Sequence, residues 1–228
     1  MIPKIIHYCW FGNKEKPADV ISFIDSWKKH LPDYKIVEWN ESNFPYHKWR
    51  YAKEAYDCHK FAFVSDICRL YALLTQGGIY LDTDVEVLKT FNPFLNNRSF
   101  IGLESTDTVS SAVIGAEKNC NWIQKALEEY DSEKFILDDA SLNITPNVQR
   151  LTAIIKSISR ELAPKIYPID YFCANDWKSH SVVSSLNTVC IHHFAGTWTG
   201  NATNCNNYKL RIKLISKKLS NILRFKFK

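Results

Sequence analysis

The chain contains no Cys-x-x-Cys pair, no run of about 18 apolar residues, no internal repeat and no low-complexity linker. Each absence removes a class of protein. The seven cysteines (9, 58, 68, 120, 173, 190 and 205) are odd in number and scattered, which suits reduced thiols rather than a disulfide frame or a zinc cage. With no long apolar run there is no membrane span to expect, and the passage from Met1 straight into a strand-like run gives no secretory signal. Acidic residues are missing from residues 209–228, which hold eight Lys or Arg. The net charge of +5 therefore belongs to that tail, and residues 1–208 carry a net −3. A mildly acidic body is not a nucleic-acid surface, and these features together predict a cytoplasmic protein.

What is present is a foldable chain. Its 228 residues are 46% hydrophobic and 14% aromatic, enough for the core of one α/β domain over residues 1–208 with a small appendage over 209–228. Residues 4–11, KIIHYCWF, read as a first strand closed by Gly12-Asn13, with Trp10 at its carboxyl end. Residues 17–30 carry Val20, Ile21, Ile24 and Trp27 on one helical face, and residues 34–39 read as a second strand. Strand, helix, strand at this spacing begins a parallel βαβ unit. Further strands are expected at 99–103, 111–115, 165–172 and 188–195. Helices are expected at 47–56, 121–130 and 145–159, the last with Thr145 as N-cap and Pro146 at the first helical position. In the tail, Tyr208, Ile212, Ile215, Leu219, Ile222 and Leu223 share one side of a basic helix. Such a helix can lie on an anionic membrane or dock on the domain.

Residues 65–86, SDICRLYALLTQGGIYLDTDVE, concentrate the chemistry. Ile67, Leu70, Tyr71 and Leu74 form a helical stripe with Asp66 and Arg69 at its edge. Gly77-Gly78 supply the positive φ that stops the helix. Ile79-Tyr80-Leu81 then reads as a short buried strand that delivers Asp82-Thr83-Asp84 at its carboxyl end, where open α/β sheets place their ligands. With 13 Asp in 228 residues, about 0.7 Asp-x-Asp triplets are expected by chance, so the argument rests on this context. Two carboxylates at a strand end can share a hard divalent cation, and such a cation can neutralise a diphosphate leaving group. His192-His193, at the end of another strand, is compatible with a structural or a metal role. Two other functions fit parts of the pattern. A haloacid-dehalogenase-like phosphatase would use Asp82 as nucleophile and Asp84 as acid/base, with FILDD at 135–139 as its later acidic pair, although 57 residues between Asp82 and Asp139 leave little room for that fold. A non-catalytic, membrane-associated carbohydrate-binding protein is the other.

Three segments carry a resemblance to a known family: IPKIIHYCWFG at 2–12, SDICRLYALLTQGGIYLDTDV at 65–85 and HHFAGTW at 192–198. In order and spacing they resemble glycosyltransferase family 32, the capsular-polysaccharide and Golgi mannosyltransferase group with a DXD-containing sugar-binding region. More distantly they resemble the catalytic domains of the large clostridial glucosylating toxins. The resemblance implies a GT-A-type fold, with a Rossmann-like, mostly parallel central sheet flanked by helices. It implies a retaining transferase that uses Mn²⁺ or Mg²⁺ and a nucleotide-sugar donor, a UDP-sugar first and GDP-mannose second. The acceptor would be a saccharide or lipid-linked saccharide in capsule-type polysaccharide synthesis in a bacterium. Carried over by residue, Trp10 would stack on the donor base, Asp66 and Arg69 would hold the donor sugar, and Tyr80 would belong to the donor-binding set. Asp82 would reach ribose and sugar with a water-mediated metal contact, Asp84 and His193 would bind the metal, and Trp198 would hydrogen-bond the β-phosphate. Ser111 stands where many relatives have Asn, and Thr145-Pro146-Asn147 matches the family's Gly-Pro helix start only loosely.

Overall fold

The computed structural model describes residues 1–175 and 182–196. Trp198 and the basic segment 209–228, which carried a phosphate and a membrane expectation, lie outside the described residues. Strand β1 (Ile5–Cys9) is followed by α1 (Ala18–His30), β2 (Lys35–Trp39), α2 (Arg50–Asp57), α3 (Phe61–Gln76), β3 (Gly78–Leu81) and β4 (Val85–Val87). Then come β5 (Ser99–Leu103), β6 (Val109–Ala116), α4 (Asn121–Glu128), α5 (Asn147–Ser157), β7 (Lys165–Tyr167), α6 (Ile169–Phe172) and β8 (Cys190–His192). Six strands form the central sheet in the order β2-β1-β3-β6-β5-β7. β6 alone runs against the others: β1 pairs in parallel with β2 and β3, and β5 with β7, whereas β6 is antiparallel to both β3 and β5.

The composition of the strands follows from this position. Both faces of the sheet are covered, so β3 (GIYL) is buried throughout and β6 nearly so. On one face α2, α3, α4 and α5 contribute Tyr51, Ile67, Leu70, Trp122 and Leu151 to one core, joined by Tyr130 from the turn after α4. On the other, α1 packs with Phe91, Phe94, Phe100 and Phe172. Pro168 divides residues 165–172, expected as one strand, into β7 and the short α6, since proline lacks the amide that a strand ladder needs. Thr145 is not the cap of α5: Pro146 takes that position, and the Thr145 hydroxyl turns to Asn143 Oδ1 at 3.0 Å.

The corner between α3 and β3 aims the sheet edge that carries Asp82 and Asp84. Gly77 and Gly78 have φ of +67° and +116°, and a Cβ on Gly78 would lie 2.6 Å from the Ile5 carbonyl oxygen. The fully buried His7 of β1 holds this corner, with Nε2 2.8 Å from the Gly77 carbonyl oxygen. Trp39 Nε1–H donates to His7 Nδ1 at 3.1 Å. Because the indole can only donate, Nδ1 is the acceptor and Nε2–H the donor to Gly77. Burial lowers the imidazole pKa to about 4, so this tautomer stays neutral. Gly78→Ala combines a disfavoured φ with a backbone clash and is expected to cost at least ~2 kcal/mol of stability. A urea midpoint unchanged from wild type would refute that account.

Candidate active site

The site is assembled at the carboxyl end of β3. Asp82 N–H donates to the Ala112 carbonyl at 2.9 Å and Val85 N–H to the Asp82 carbonyl at 3.1 Å, so Asp82-Thr83-Asp84 forms a tight turn leaving the sheet edge. The next three residues form β4, which the sequence analysis did not anticipate although Val85-Glu86-Val87 alternates as a strand should. β4 pairs antiparallel with β8, with Val85 opposite His192. α1 secures this small sheet: Trp27 Nε1–H donates to the Val85 carbonyl at 2.7 Å, and Val87 N–H donates to Ser26 Oγ at 2.9 Å.

The pairing selects the histidine that faces the carboxylates. Asp82, Asp84 and His192 offer ligand atoms that all lie within 4.8 Å of one another. Successive residues of a strand project to opposite faces, so only one member of the pair can do this. His193, assigned to the metal from the sequence, is turned away: its Nε2 lies 3.0 Å from Glu86 Oε2 and its ring stacks on Phe23 at 4.7 Å. His192 Nε2 lies 3.4 Å from Asp84 Oδ1, and its Nδ1 is 4.0 Å from Cys173 Sγ. Burial opposes a charge on His192, but the Asp84 carboxylate outweighs it and raises its pKa to about 10. Asp84 is itself held below the usual carboxylate range, burial being overcome by His192 and by the Ala195 amide at 2.9 Å from Oδ2. Two carboxylates and one imidazole are a fitting donor set for Mn²⁺ or a similar divalent ion.

Beside this cluster lies a buried guanidinium. Arg69 NH2 donates to Asp66 Oδ1 at 3.0 Å, and NH1 donates to the Ser111 carbonyl at 2.6 Å and lies 3.2 Å from Asp82 Oδ1. The guanidinium carbon lies 4.6 Å from the centre of the Tyr80 ring, and Tyr80 Oη–H donates to Asp82 Oδ1 at 2.9 Å. Asp66, Arg69, Tyr80 and Asp82 are thus one connected group, as the stripe-edge position of Asp66 and Arg69 suggested. Ser111 contributes its backbone carbonyl. Burial raises the Asp66 pKa to about 6 against the pull of Arg69, with the Asp82 charge adding to the rise. Glu104, one residue past β5, was missed from the sequence. Burial raises its pKa, and it feels both His192 and Asp82, so it belongs to the same edge. Its place immediately after an apolar strand was the available signal. Trp10 sits half-buried just past β1, its Nε1–H donating to the Lys14 carbonyl at 2.7 Å and its ring 5.7 Å from the Lys16 ammonium. Asp138 and Asp139, the acidic pair that a phosphatase would need, are exposed and bonded to Lys134 and Ser141.

Comparison with known proteins agrees with this geometry. Residues 17–101 match the family described as glycosyltransferase sugar-binding region containing DXD motif. Inositol phosphoceramide mannosyltransferase 3 of Schizosaccharomyces pombe is 30% identical over 125 residues, covering 51% of this chain and 34% of that protein. Mannosyl phosphorylinositol ceramide synthase SUR1 of Saccharomyces cerevisiae is 27% identical over 150 residues, covering 60% of this chain and 37% of that one. The chain thus spans about a third of the length of these relatives. Among solved structures, the glycosyltransferase GlyE of Streptococcus pneumoniae superposes with a TM-score of 0.53 at 13% identity, covering 100% of this chain and 64% of that one. The fold is therefore the GT-A type. Among the described residues no helix is long and apolar enough to cross a membrane.

The two adjacent histidines make a direct test. His192→Ala should weaken Mn²⁺ binding by at least ~10-fold, the loss that changes around a metal's ligands already cause, while His193→Ala should leave it within a factor of about two. Calorimetric titration of both variants distinguishes them, and equal losses would reject the assignment.

Proposed function

We propose, on the match of residues 17–101 to the glycosyltransferase sugar-binding region containing a DXD motif, that this domain is a metal-dependent, retaining glycosyltransferase that moves a hexose or N-acetylhexosamine from a nucleotide-sugar donor to a saccharide or lipid-linked acceptor. The observation that carries the proposal is the junction of two groups at Asp82: the Asp84–His192 cluster on one side and the Arg69–Asp66 pair on the other. One group suits a cation on a diphosphate and the other the hydroxyls of a sugar, and they adjoin as the two halves of a nucleotide-sugar do. The mannosyl transfer in the names of both fungal relatives supports mannose as one candidate sugar, with GDP-mannose as a second candidate donor after the UDP-sugars suggested by the toxin resemblance. A role in capsule-type polysaccharide synthesis belongs to the same proposal.

In this scheme Asp82, Asp84 and His192 hold the cation, which when bound would neutralise charge on the departing diphosphate. Asp66 accepts from a sugar hydroxyl, and Arg69 keeps the Asp66 and Asp82 carboxylates in fixed directions so that the anomeric carbon is presented in one orientation. Trp10, past the end of β1, is available to the nucleoside base. No side chain is assigned as nucleophile, and attack on the face the diphosphate leaves, assisted by the leaving phosphate, accounts for retention.

A hydrolysis screen of UDP-glucose, UDP-galactose, their N-acetylamino forms and GDP-mannose, with and without Mn²⁺, tests the proposal. Turnover of one donor is expected only with the cation, and Asp84→Asn should lower it at least ~100-fold. Metal-independent turnover, or full activity of Asp84→Asn, would overturn the metal assignment. Since ionised Asp66 is the stronger acceptor, the donor KM should rise as the pH falls through about 6. In Asp66→Asn the KM should be high throughout, with that inflection gone.

A further inference from the structure

The cation site of that proposal, on which the following rests, needs more than His192 at the right strand position. His192 ends β8, and the pairing of β8 with β4 sets its backbone opposite Val85. Pairing does not set the ring. The last torsion of a histidine has two broad, nearly equivalent settings half a turn apart. In one, Nε2 faces the Asp84 carboxylate, as it does here at 3.4 Å. In the other, a ring carbon takes that place, and carbon has no lone pair to offer a cation.

The segment that follows α6 distinguishes the two settings. Cys173 is fully buried, and its Sγ lies 4.0 Å from His192 Nδ1. Its neighbours are tied to β8 on both sides: Val189 N–H donates to the Tyr171 carbonyl at 2.9 Å, Cys190 Sγ–H to the Phe172 carbonyl at 3.4 Å, and Asn175 Nδ2 to the His192 carbonyl at 3.1 Å. Cys173 N–H itself donates to the Ile169 carbonyl at 2.9 Å. The sulfur is therefore fixed relative to the strand that carries the imidazole. Phe194 packs on the ring as well. Its φ of +50° is uncommon for a bulky residue, and it brings the two ring centres to 4.1 Å. That packing resists rotation but treats nitrogen and carbon alike. The sulfur does not, because a ring N–H donates to it far better than a ring C–H.

We propose that Cys173 is a positioning residue for the cation site: its sulfur accepts from His192 Nδ1–H and so keeps Nε2 turned toward Asp82 and Asp84. A histidine that binds a metal ordinarily has such a partner on its second nitrogen, in the form of a carboxylate, a backbone carbonyl or water. Here a thiol takes that part. Sulfur is the weaker acceptor, so Cys173 acts on the direction of the ring more than on its basicity.

The experiment is a double-mutant cycle read by Mn²⁺ titration and by the nitrogen coupling to bound Mn²⁺ in pulsed electron paramagnetic resonance. Cys173→Ala should weaken Mn²⁺ binding roughly 10-fold and diminish the nitrogen coupling seen in wild type. Cys173→Ser, whose hydroxyl can accept in the same place, should stay within about threefold of wild type. In a His192→Ala background, Cys173→Ala should cause no further loss, because the residue through which it acts is gone. Cys173→Val, which fills the site without an acceptor, replaces the alanine variant if that one does not fold. Equal losses in both backgrounds, no loss at all, or a serine variant as weak as the alanine variant would overturn the inference and leave the cation site standing. Failure of wild type to bind Mn²⁺ would overturn both.

Discussion

The arrangement at the sheet edge depends on one buried guanidinium. Arg69 ties α3 to β3 through Asp82, to β6 through the Ser111 carbonyl and to its own helix through Asp66, with the Tyr80 ring beneath it. Such a group is a poor source of stability, since taking a guanidinium and two carboxylates out of water costs about as much as their attraction returns. Its effect is geometric. With Asp66 and Asp82 tethered to one rigid, permanently charged fork, these two acids cannot swing away from the sheet edge. A lysine at this position would keep the charge and lose the three-way tie.

Charge compensation continues outward in the same manner. Asp84 is balanced by His192 and the Ala195 amide, and Asp66 by Arg69 and Arg150. The two carboxylates nonetheless differ in how firmly they hold their charge: Asp84 is held below the usual carboxylate range, whereas burial raises the Asp66 pKa to about 6. One suits a cation ligand; the other suits a group that must trade hydrogen bonds with an uncharged sugar.

Much of this was visible in the amino-acid order because its determinants are local. The stripe from Ile67 to Leu74, the Gly77-Gly78 stop and the carboxyl-end position of Asp82 and Asp84 each follow from neighbours a few residues away. The choice between His192 and His193 did not, because it depends on the register of β8 against β4, a strand of three residues too short to announce itself. Glu104 was hidden for a related reason: it comes near His192 and Asp82 only through packing of β5 beside residues remote in sequence. Residues 165–172 show the opposite case, a local signal in Pro168 that outweighs the β-favouring residues on either side of it.

The β4–β8 pairing also bears on the order in which the chain becomes competent. Asp84 and His192 are more than a hundred residues apart, and the strand that joins them is among the last elements described. A nascent chain can build the βαβ unit around β1, β2 and β3 long before β8 has been synthesised, since such units draw on nearby segments. At that stage it holds Asp82 and Asp84 and lacks His192. Assembly of the Asp82–Asp84–His192 cluster is therefore coupled to the pairing of β8 with β4, and a nascent chain that has not reached β8 lacks its imidazole.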